Sequence, residues 1–150
     1  MKQHSIGNQL QSVLVLINNR DYQKALFALQ NLITLAPKEP NVWQLTGTCL
    51  HRMNRLNEAE NAFLTSLRLH PNQPHVHNNL ANLYKRQGIL EKAATYYKKA
   101  ISLKSDYVDA IYNLGLLMID TDITQAIEML QKVLNYQPKY LRAHLGLAFA

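Results

Sequence analysis

The apolar residues of this chain recur at helical spacing along most of its length. Ala93, Tyr97, Ala100 and Ile101, for example, would share one face of an α-helix. Short polar stretches interrupt the pattern at regular intervals, so that no helix is long. The pattern predicts helices at residues 6–18, 22–35, 41–53, 57–69, 75–87, 91–103, 109–119 and 123–135. The chain is therefore expected to be all-α.

A repeat of about 34 residues arranges these helices in pairs. In every second helix an alanine is followed, four positions later, by a large apolar residue. These pairs are Ala25 and Leu29, Ala59 and Phe63, Ala93 and Tyr97, and Ala126 and Leu130. The first helix of the second, third and fourth pairs carries a small residue at the same position of the repeat. These residues are Gly47, Ala81 and Gly115. Small residues let helices approach closely, so the paired helices are expected to make their nearest contact here. One pair cannot bury both of its apolar stripes, and successive pairs must therefore stack.

These repeated residues resemble the tetratricopeptide repeat. The second unit matches at Trp43, Gly47, Ala59, Phe63 and Pro71, and the third at Leu80, Ala81, Tyr84, Gly88, Ala93 and Tyr97. The resemblance implies an all-α, right-handed α-solenoid of helix-turn-helix repeats that forms a single domain over residues 1–150. The expected repeats are about 6–39, 40–73, 74–107 and 108–140, with a truncated fifth repeat at 141–150.

The connections within the pairs differ from one another. Gly88 and Asn54 stand where the first helix of a pair should end, a place that favours left-handed backbone, and Arg20 takes that place in the first pair. The fourth turn, Asp120 to Thr124, is one residue short and should be tighter. The fifth repeat has a first helix without its partner, and it is too apolar for a polar end cap. We therefore expect the sequence to be part of a longer array or a larger protein.

The first helix of the third repeat is unusually rich in asparagine. In a right-handed solenoid of helix pairs this helix lines the concave surface, where residues 34 apart, such as Asn79 and Asn113, face the same channel. The two resemble the asparagine ladder of O-GlcNAc transferase repeats, in which the amides hold the backbone of an extended peptide. An asparagine amide both donates and accepts, so it can pair with any peptide group. The alternative is that these asparagines are solvated residues on an exposed helix face.

Other residues on the inner helices complete the predicted peptide groove. Asn78, Asn82, Tyr112 and His75 flank the ladder positions. Arg52, Lys85 and Arg86 end consecutive inner helices, where they could bind acidic side chains of a ligand or simply complement the helix dipole. The dicarboxylate clamp of chaperone-binding repeats needs Lys and Asn on the first inner helix. Leu10 and Leu14 stand there instead, so that clamp is not expected.

Composition narrows the choice of partner and compartment. The chain has 16 Lys and Arg against 10 Asp and Glu, a net charge of +6 that favours an acidic partner. Nucleic acid usually requires a denser basic patch with interleaved aromatics, so neither nucleic acid nor a membrane is an expected partner. The longest early apolar run, Val13 to Ile17, is too short for a membrane span or a signal peptide. The lone Cys49 favours a reducing compartment, and a cytoplasmic location is expected.

No constellation of residues predicts catalysis, a metal or a cofactor. His75 and His77 are two positions apart, which turns them about 200° from each other on a helix, so they cannot chelate one ion. His77 stands at the packing phase of Trp43 and is expected to be semi-buried. Cys49 and His51 are also two positions apart, so their side chains would point in different directions on a helix and could not act as a nucleophile and base. The sequence has no Gly-rich phosphate loop.

The sequence therefore predicts a non-catalytic scaffold that binds a peptide or protein segment in its groove. One alternative is the amino-terminal docking or regulatory region of a larger enzyme, such as a glycosyltransferase or sulfotransferase. Another is self-association through the apolar inner positions Leu10, Leu14 and Ile17.

Overall fold

The computed structural model describes residues 2–149, so that Ala150, the end of the predicted fifth repeat, lies outside the described residues. Within that range the chain folds into nine α-helices and has no strand. The helices are α1 (Lys2–Asn18), α2 (Tyr22–Leu35), α3 (Pro40–Arg52), α4 (Leu56–Leu69), α5 (Pro74–Arg86), α6 (Leu90–Leu103), α7 (Val108–Met118), α8 (Ile123–Tyr136) and α9 (Leu141–Phe149). The described part contains no helix with the length and apolar character to cross a membrane.

The predicted all-α fold and its helices are confirmed. α2 has the predicted bounds, whereas α1 begins at Lys2, before the predicted residue 6. The starts of several helices have clear local causes. The Asp122 carboxylate accepts a hydrogen bond from the backbone N–H of Gln125 (3.0 Å), which caps α8. Proline stands at the start of α3 and α5, where its missing N–H costs nothing.

The helices form two compact units, and the boundary between them falls between Asn72 and Gln73. In the first unit α1, α2, α3 and α4 pack in chain order, each against the next. In the second unit α5 to α9 do the same. Each unit therefore stacks its helices as the repeat predicts. That the whole chain is a single domain stays a prediction.

The core of the first unit depends on a very close helix approach. A Cβ atom added to Gly47 of α3 would lie 2.6 Å from Cδ1 of Phe63 in α4, closer than any methyl group can come. Phe63 is fully buried, as are Val13 and Leu29 at the matching places of α1 and α2. The predicted close contact of a small residue with a large one is confirmed here.

The second unit repeats this arrangement with different residues. A Cβ atom on Gly115 of α7 would lie 3.1 Å from that of Met129 and 3.4 Å from Cγ of Leu130 in α8. Ala81 and Tyr97 take the corresponding places in α5 and α6, and both are fully buried. The same packing rule thus holds in both units.

The turns within the first three helix pairs share one backbone conformation. Arg20, Asn54 and Gly88 have positive φ values of 60°, 62° and 77°, in the left-handed region. The residue after each of them donates its N–H to a carbonyl in the last turn of the preceding helix, as when Asp21 bonds Leu16 at 2.9 Å. Glycine and asparagine adopt this conformation readily, but arginine does so at a cost. The first turn is therefore strained at Arg20.

The fourth turn is built differently, as its shorter length predicts. Among the residues that the structure describes, none between α7 and α8 has a positive φ. Instead the N–H of Asp122 donates to the carbonyl of Met118 at 2.8 Å, which closes the turn directly.

Replacing Gly47 by alanine should destabilise the protein by about 1–3 kcal/mol, because the new methyl group would overlap the buried Phe63 ring. Chemical denaturation followed by circular dichroism measures the change. Gly7→Ala is the matched control, since Gly7 is exposed in α1 and an added Cβ meets nothing within 4 Å. The control should leave stability unchanged or raise it, by up to about 1 kcal/mol. Equal melting of both variants and the parent would contradict the close contact.

Cys49 should be inert toward thiol reagents in the folded protein. The residue is completely buried in the first unit, and this burial raises the pKa of its thiol to about 11, so that almost no thiolate exists near neutral pH. Labelling with a chromogenic disulfide reagent should therefore occur only as urea unfolds the chain. Ser105→Cys supplies an exposed thiol as the control and should react at once. Complete and rapid labelling of the native parent would show that the thiol is accessible.

Candidate functional site

Asn82 is engaged inside the α5–α6 pair. Its Oδ1 accepts a hydrogen bond from the hydroxyl of Tyr97 at 2.6 Å. Tyr97 is completely buried, and burial raises the pKa of its phenol. A buried hydroxyl left without a partner costs about 1–3 kcal/mol, so Asn82 stabilises this core tyrosine. In the preceding repeat the large residue is Phe63, which has no hydroxyl, and Thr48 stands in place of Asn82.

Asn78 also lies inside the second unit, with an exposed fraction of only 6%. Its amide donates a hydrogen bond to the phenol oxygen of Tyr107, a bond that opposes the rise that burial causes in the pKa of that phenol. Oδ1 of Asn78 is buried and has no hydrogen-bond partner in the described structure. Two of the asparagines on α5 thus form hydrogen bonds with tyrosines of the same unit.

The two ladder positions are more open. Asn79 is half-buried, and its side chain makes no hydrogen bond with any described residue. Asn113 is also half-buried, and its Oδ1 accepts a hydrogen bond from Nζ of Lys85 at 3.5 Å. The amide N–H groups of Asn113 and both functions of the Asn79 amide therefore remain available to a ligand.

A cleft of about 420 Å³ opens beside Asn113 in the second unit, and we call it the α7–α9 cleft. Its lining residues are Lys85, Tyr112, Asn113, Leu116, Arg142, Leu145 and Gly146. Two cations, an amide and a phenol thus share the cleft with apolar side chains, and no carboxylate lines it. Burial lowers the pKa of Lys85, since its ammonium group loses water without gaining a carboxylate. The cleft suits an extended segment with both polar and apolar groups.

Tyr112 is held in its place in the cleft by Tyr140, the residue just before α9. Its ring packs edge-on against Tyr140, with ring centroids 5.4 Å apart. The Tyr140 hydroxyl in turn donates to Oδ1 of Asp109 at 3.3 Å. Burial, and then the negative charge of Asp109, raise the pKa of Tyr140. These contacts tie the start of α7 to the residue just before α9.

The remaining predicted site residues do not line this cleft. His75 and Arg86 lie on α5 outside this lining, and each keeps part of its surface exposed. Partial burial lowers the pKa of His75, and the neighbouring His77 acts in the same direction. Arg52 belongs to the first unit, where it lines a different cleft. The structure therefore brings Lys85, Tyr112 and Asn113 together and leaves the others apart.

His77 has the structural role that its position predicts. Only 7% of the residue is exposed, and its ring stacks on Tyr96 with centroids 5.9 Å apart. Tyr96 also stacks on Tyr84, over which Nζ of Lys92 lies 4.9 Å from the ring centre. This aromatic column joins α5 to α6.

Sequence reasoning missed Arg142, Leu116 and Leu145 as cleft residues. A signal for Arg142 was present, because it stands in the fifth repeat at the phase of His75 and Asp109. The side chains of Leu10 and Ile17, in contrast, are partly buried against the core of the first unit. Their apolar character therefore has a packing role.

The described residues contain no group of three or more His, Cys, Asp and Glu side chains that could hold a metal ion. Cys49, the one cysteine, is a buried thiol with a raised pKa, which is the opposite of an activated nucleophile. The arrangement offers hydrogen bonds, charge and apolar contact, which are the means of binding.

Comparison with known proteins agrees with the helical repeat. Residues 16–83, 74–107 and 109–140 each match a family model described as tetratricopeptide repeat. The chain is 31% identical over 122 residues to the protein O-mannosyl-transferase Tmtc3 of Drosophila melanogaster, an alignment that covers 71% of this chain. The chain spans only 13% of the length of that relative.

Solved structures show the same fold at low sequence identity. A structure of PilF from Pseudomonas aeruginosa has a TM-score of 0.90 at 17% identity, and covers 98% of this chain and 68% of that one. The first tetratricopeptide domain of Spaghetti (RPAP3), bound to the HSP90 peptide SRMEEVD, has a TM-score of 0.70 at 20% identity, with 73% and 87% covered. The repeat pattern, the stacked helix pairs and the three family matches lead to one conclusion: the chain belongs to the tetratricopeptide repeat family.

Proposed function

We propose that this chain is a non-catalytic binding scaffold, and that its second unit holds an extended peptide or protein segment along α5, α7 and the α7–α9 cleft. The observation that carries the proposal is the cleft itself, in which Asn113, Lys85, Tyr112 and Arg142 lie beside apolar side chains. Each of these polar groups can bind a peptide without reacting with it.

The two amides supply backbone recognition. Asn79 has no partner among the described residues, and Asn113 uses only its Oδ1, toward Lys85. An amide pairs with a peptide group regardless of the side chain, so recognition of sequence should be loose at these positions. Lys85 and Arg142 add a preference for acidic groups, and Leu116 and Leu145 add one for apolar side chains.

The comparisons support this use of the fold. Tetratricopeptide repeats commonly mediate protein–protein interaction, and the similar Spaghetti domain is bound to a peptide. The cytoplasmic location expected from the lone cysteine belongs to the same proposal. Self-association through α1 is less well supported, since Leu10 and Ile17 pack against the core of their own unit and Leu14 alone of the three predicted positions is exposed.

A second candidate function is docking or regulation within a larger enzyme. It is favoured by the similarity to protein O-mannosyl-transferases, of whose length the chain spans only a small part. The complete coding sequence tests it. A transferase domain on the same polypeptide supports this role, and a reading frame that holds helical repeats alone contradicts it.

The double variant Asn79→Ala and Asn113→Ala should bind peptides about 5 to 150 times more weakly than the parent. It loses two amides, each worth about 0.5–1.5 kcal/mol in hydrogen bonds. A panel of synthetic peptides identifies the tightest binder, and fluorescence anisotropy then gives both dissociation constants.

The matched control is Asn57→Ala with Asn61→Ala, which removes two exposed amides from α4 of the other unit. Both double variants should melt like the parent, because none of these side chains belongs to a packing stripe. Binding by Asn79→Ala, Asn113→Ala that equals the parent's would refute the role of the two amides.

A further inference from the structure

A second cleft, in the first unit, has no role in the function proposed above. It measures about 540 Å³ and is lined by Ile17, Asn18, Arg20, Tyr22, Thr48 and Arg52. The lining comes from the end of α1, the turn to α2 and the last turns of α3. We call it the Arg20–Arg52 cleft.

The cleft is positively charged and contains no carboxylate. Neither arginine forms an ion pair with any residue that the structure describes. The nearest acidic residue in sequence, Asp21, pairs with Lys24 at 2.8 Å, and Glu58 pairs with Arg55 at 2.6 Å. These two acidic groups are thus paired with other cations rather than with the arginines of the cleft.

Other donors surround the two arginines. The Asn18 amide and the Tyr22 hydroxyl have no hydrogen-bond partner in the described part of the chain. Thr48, by contrast, is satisfied, because its hydroxyl donates to the carbonyl of Gln44 at 3.0 Å and accepts from the Gln44 amide at 3.2 Å. The cleft therefore offers several unused donors, two of them cationic, and its unused acceptors on Asn18 and Tyr22 are uncharged, which is the chemistry of an oxyanion site.

The backbone at Arg20 adds an independent observation. Its φ of 60° lies in the region that glycine and asparagine adopt readily, and they hold the matching positions at Gly88 and Asn54. Arginine there makes the turn less stable than glycine would. Strain of this kind is often found where a side chain is needed for function.

We propose that the Arg20–Arg52 cleft binds the carboxylates of an acidic protein segment. The inference rests on the proposed function in one respect, since it takes the anion to be part of a bound protein. Two planar guanidinium groups match carboxylates in geometry, and Ile17 supplies a small apolar surface for the methylene groups of a glutamate. Nucleic acid fits less well, because a single tyrosine lines the cleft and gives little surface for stacked bases.

The test uses a fluorescent peptide of alternating glutamate and alanine, and the same peptide with glutamine for each glutamate. The parent should bind the glutamate peptide, more weakly as salt is raised, and should bind the glutamine peptide far less. Arg20→Gly and Arg52→Gln should each weaken binding of the glutamate peptide by roughly threefold to tenfold.

The stability of Arg20→Gly separates a binding role from a structural one. This variant relieves the left-handed strain and should melt roughly 2 to 4 °C higher than the parent, although it binds less well. Asn54→Gly is the matched control, because Asn54 has the same backbone conformation and does not line the cleft. It should melt at or slightly above the parent's temperature and bind the glutamate peptide unchanged.

Three results of these peptide measurements would overturn the inference. They are a parent that does not bind the glutamate peptide, equal binding of the glutamine peptide, and full affinity in Arg20→Gly. Displacement of the peptide by a lower concentration of single-stranded oligothymidylate would also overturn it and point to nucleic acid. None of these results bears on Asn79 and Asn113, whose variant is measured separately.

Discussion

The fold depends on one repeated contact, in which a residue with little or no side chain on one helix receives a large ring or branched side chain from its partner. At Gly47 the approach is so close that even a methyl group would overlap Phe63. The geometry of this contact sets how closely α3 approaches α4 and α7 approaches α8. Since each unit repeats it, the helices can vary widely at other positions and still pack alike.

This dependence explains how much of the fold could be predicted from the sequence. A spacing of 34 residues that recurs in small and large residues predicts helix pairs and their nearest contacts, and the structure confirms both. The turns could be predicted in part, because Gly88 and Asn54 are typical of left-handed backbone. Arg20 adopts the same conformation without any local preference for it, since the packed helices on either side impose it.

The candidate site could be predicted less well, because the sequence does not show which hydrogen-bond partners its side chains have in the fold. Asn78, Asn79 and Asn82 look equivalent in the sequence, yet Asn82 accepts from the buried Tyr97, Asn78 bonds the half-buried Tyr107, and only Asn79 has no partner in the described structure. The difference between Tyr97 and Phe63 was a usable signal, since a buried hydroxyl needs an acceptor and Asn82 stands where it can provide one. Arg142 stands at the phase of His75 and Asp109, so its place in the repeat could be predicted, but the sequence does not show that this position lines a cleft.

The left-handed arginine in the first turn also has a genetic consequence. Every arginine codon becomes a glycine codon by a change of its first base, so the residue that would relax this turn is always one point mutation away. A lineage that had no use for the charge at this place could lose it in a single step and gain stability. If the cleft binds carboxylates as proposed, relatives that use it should keep arginine at residue 20, and relatives that do not should drift toward glycine or asparagine.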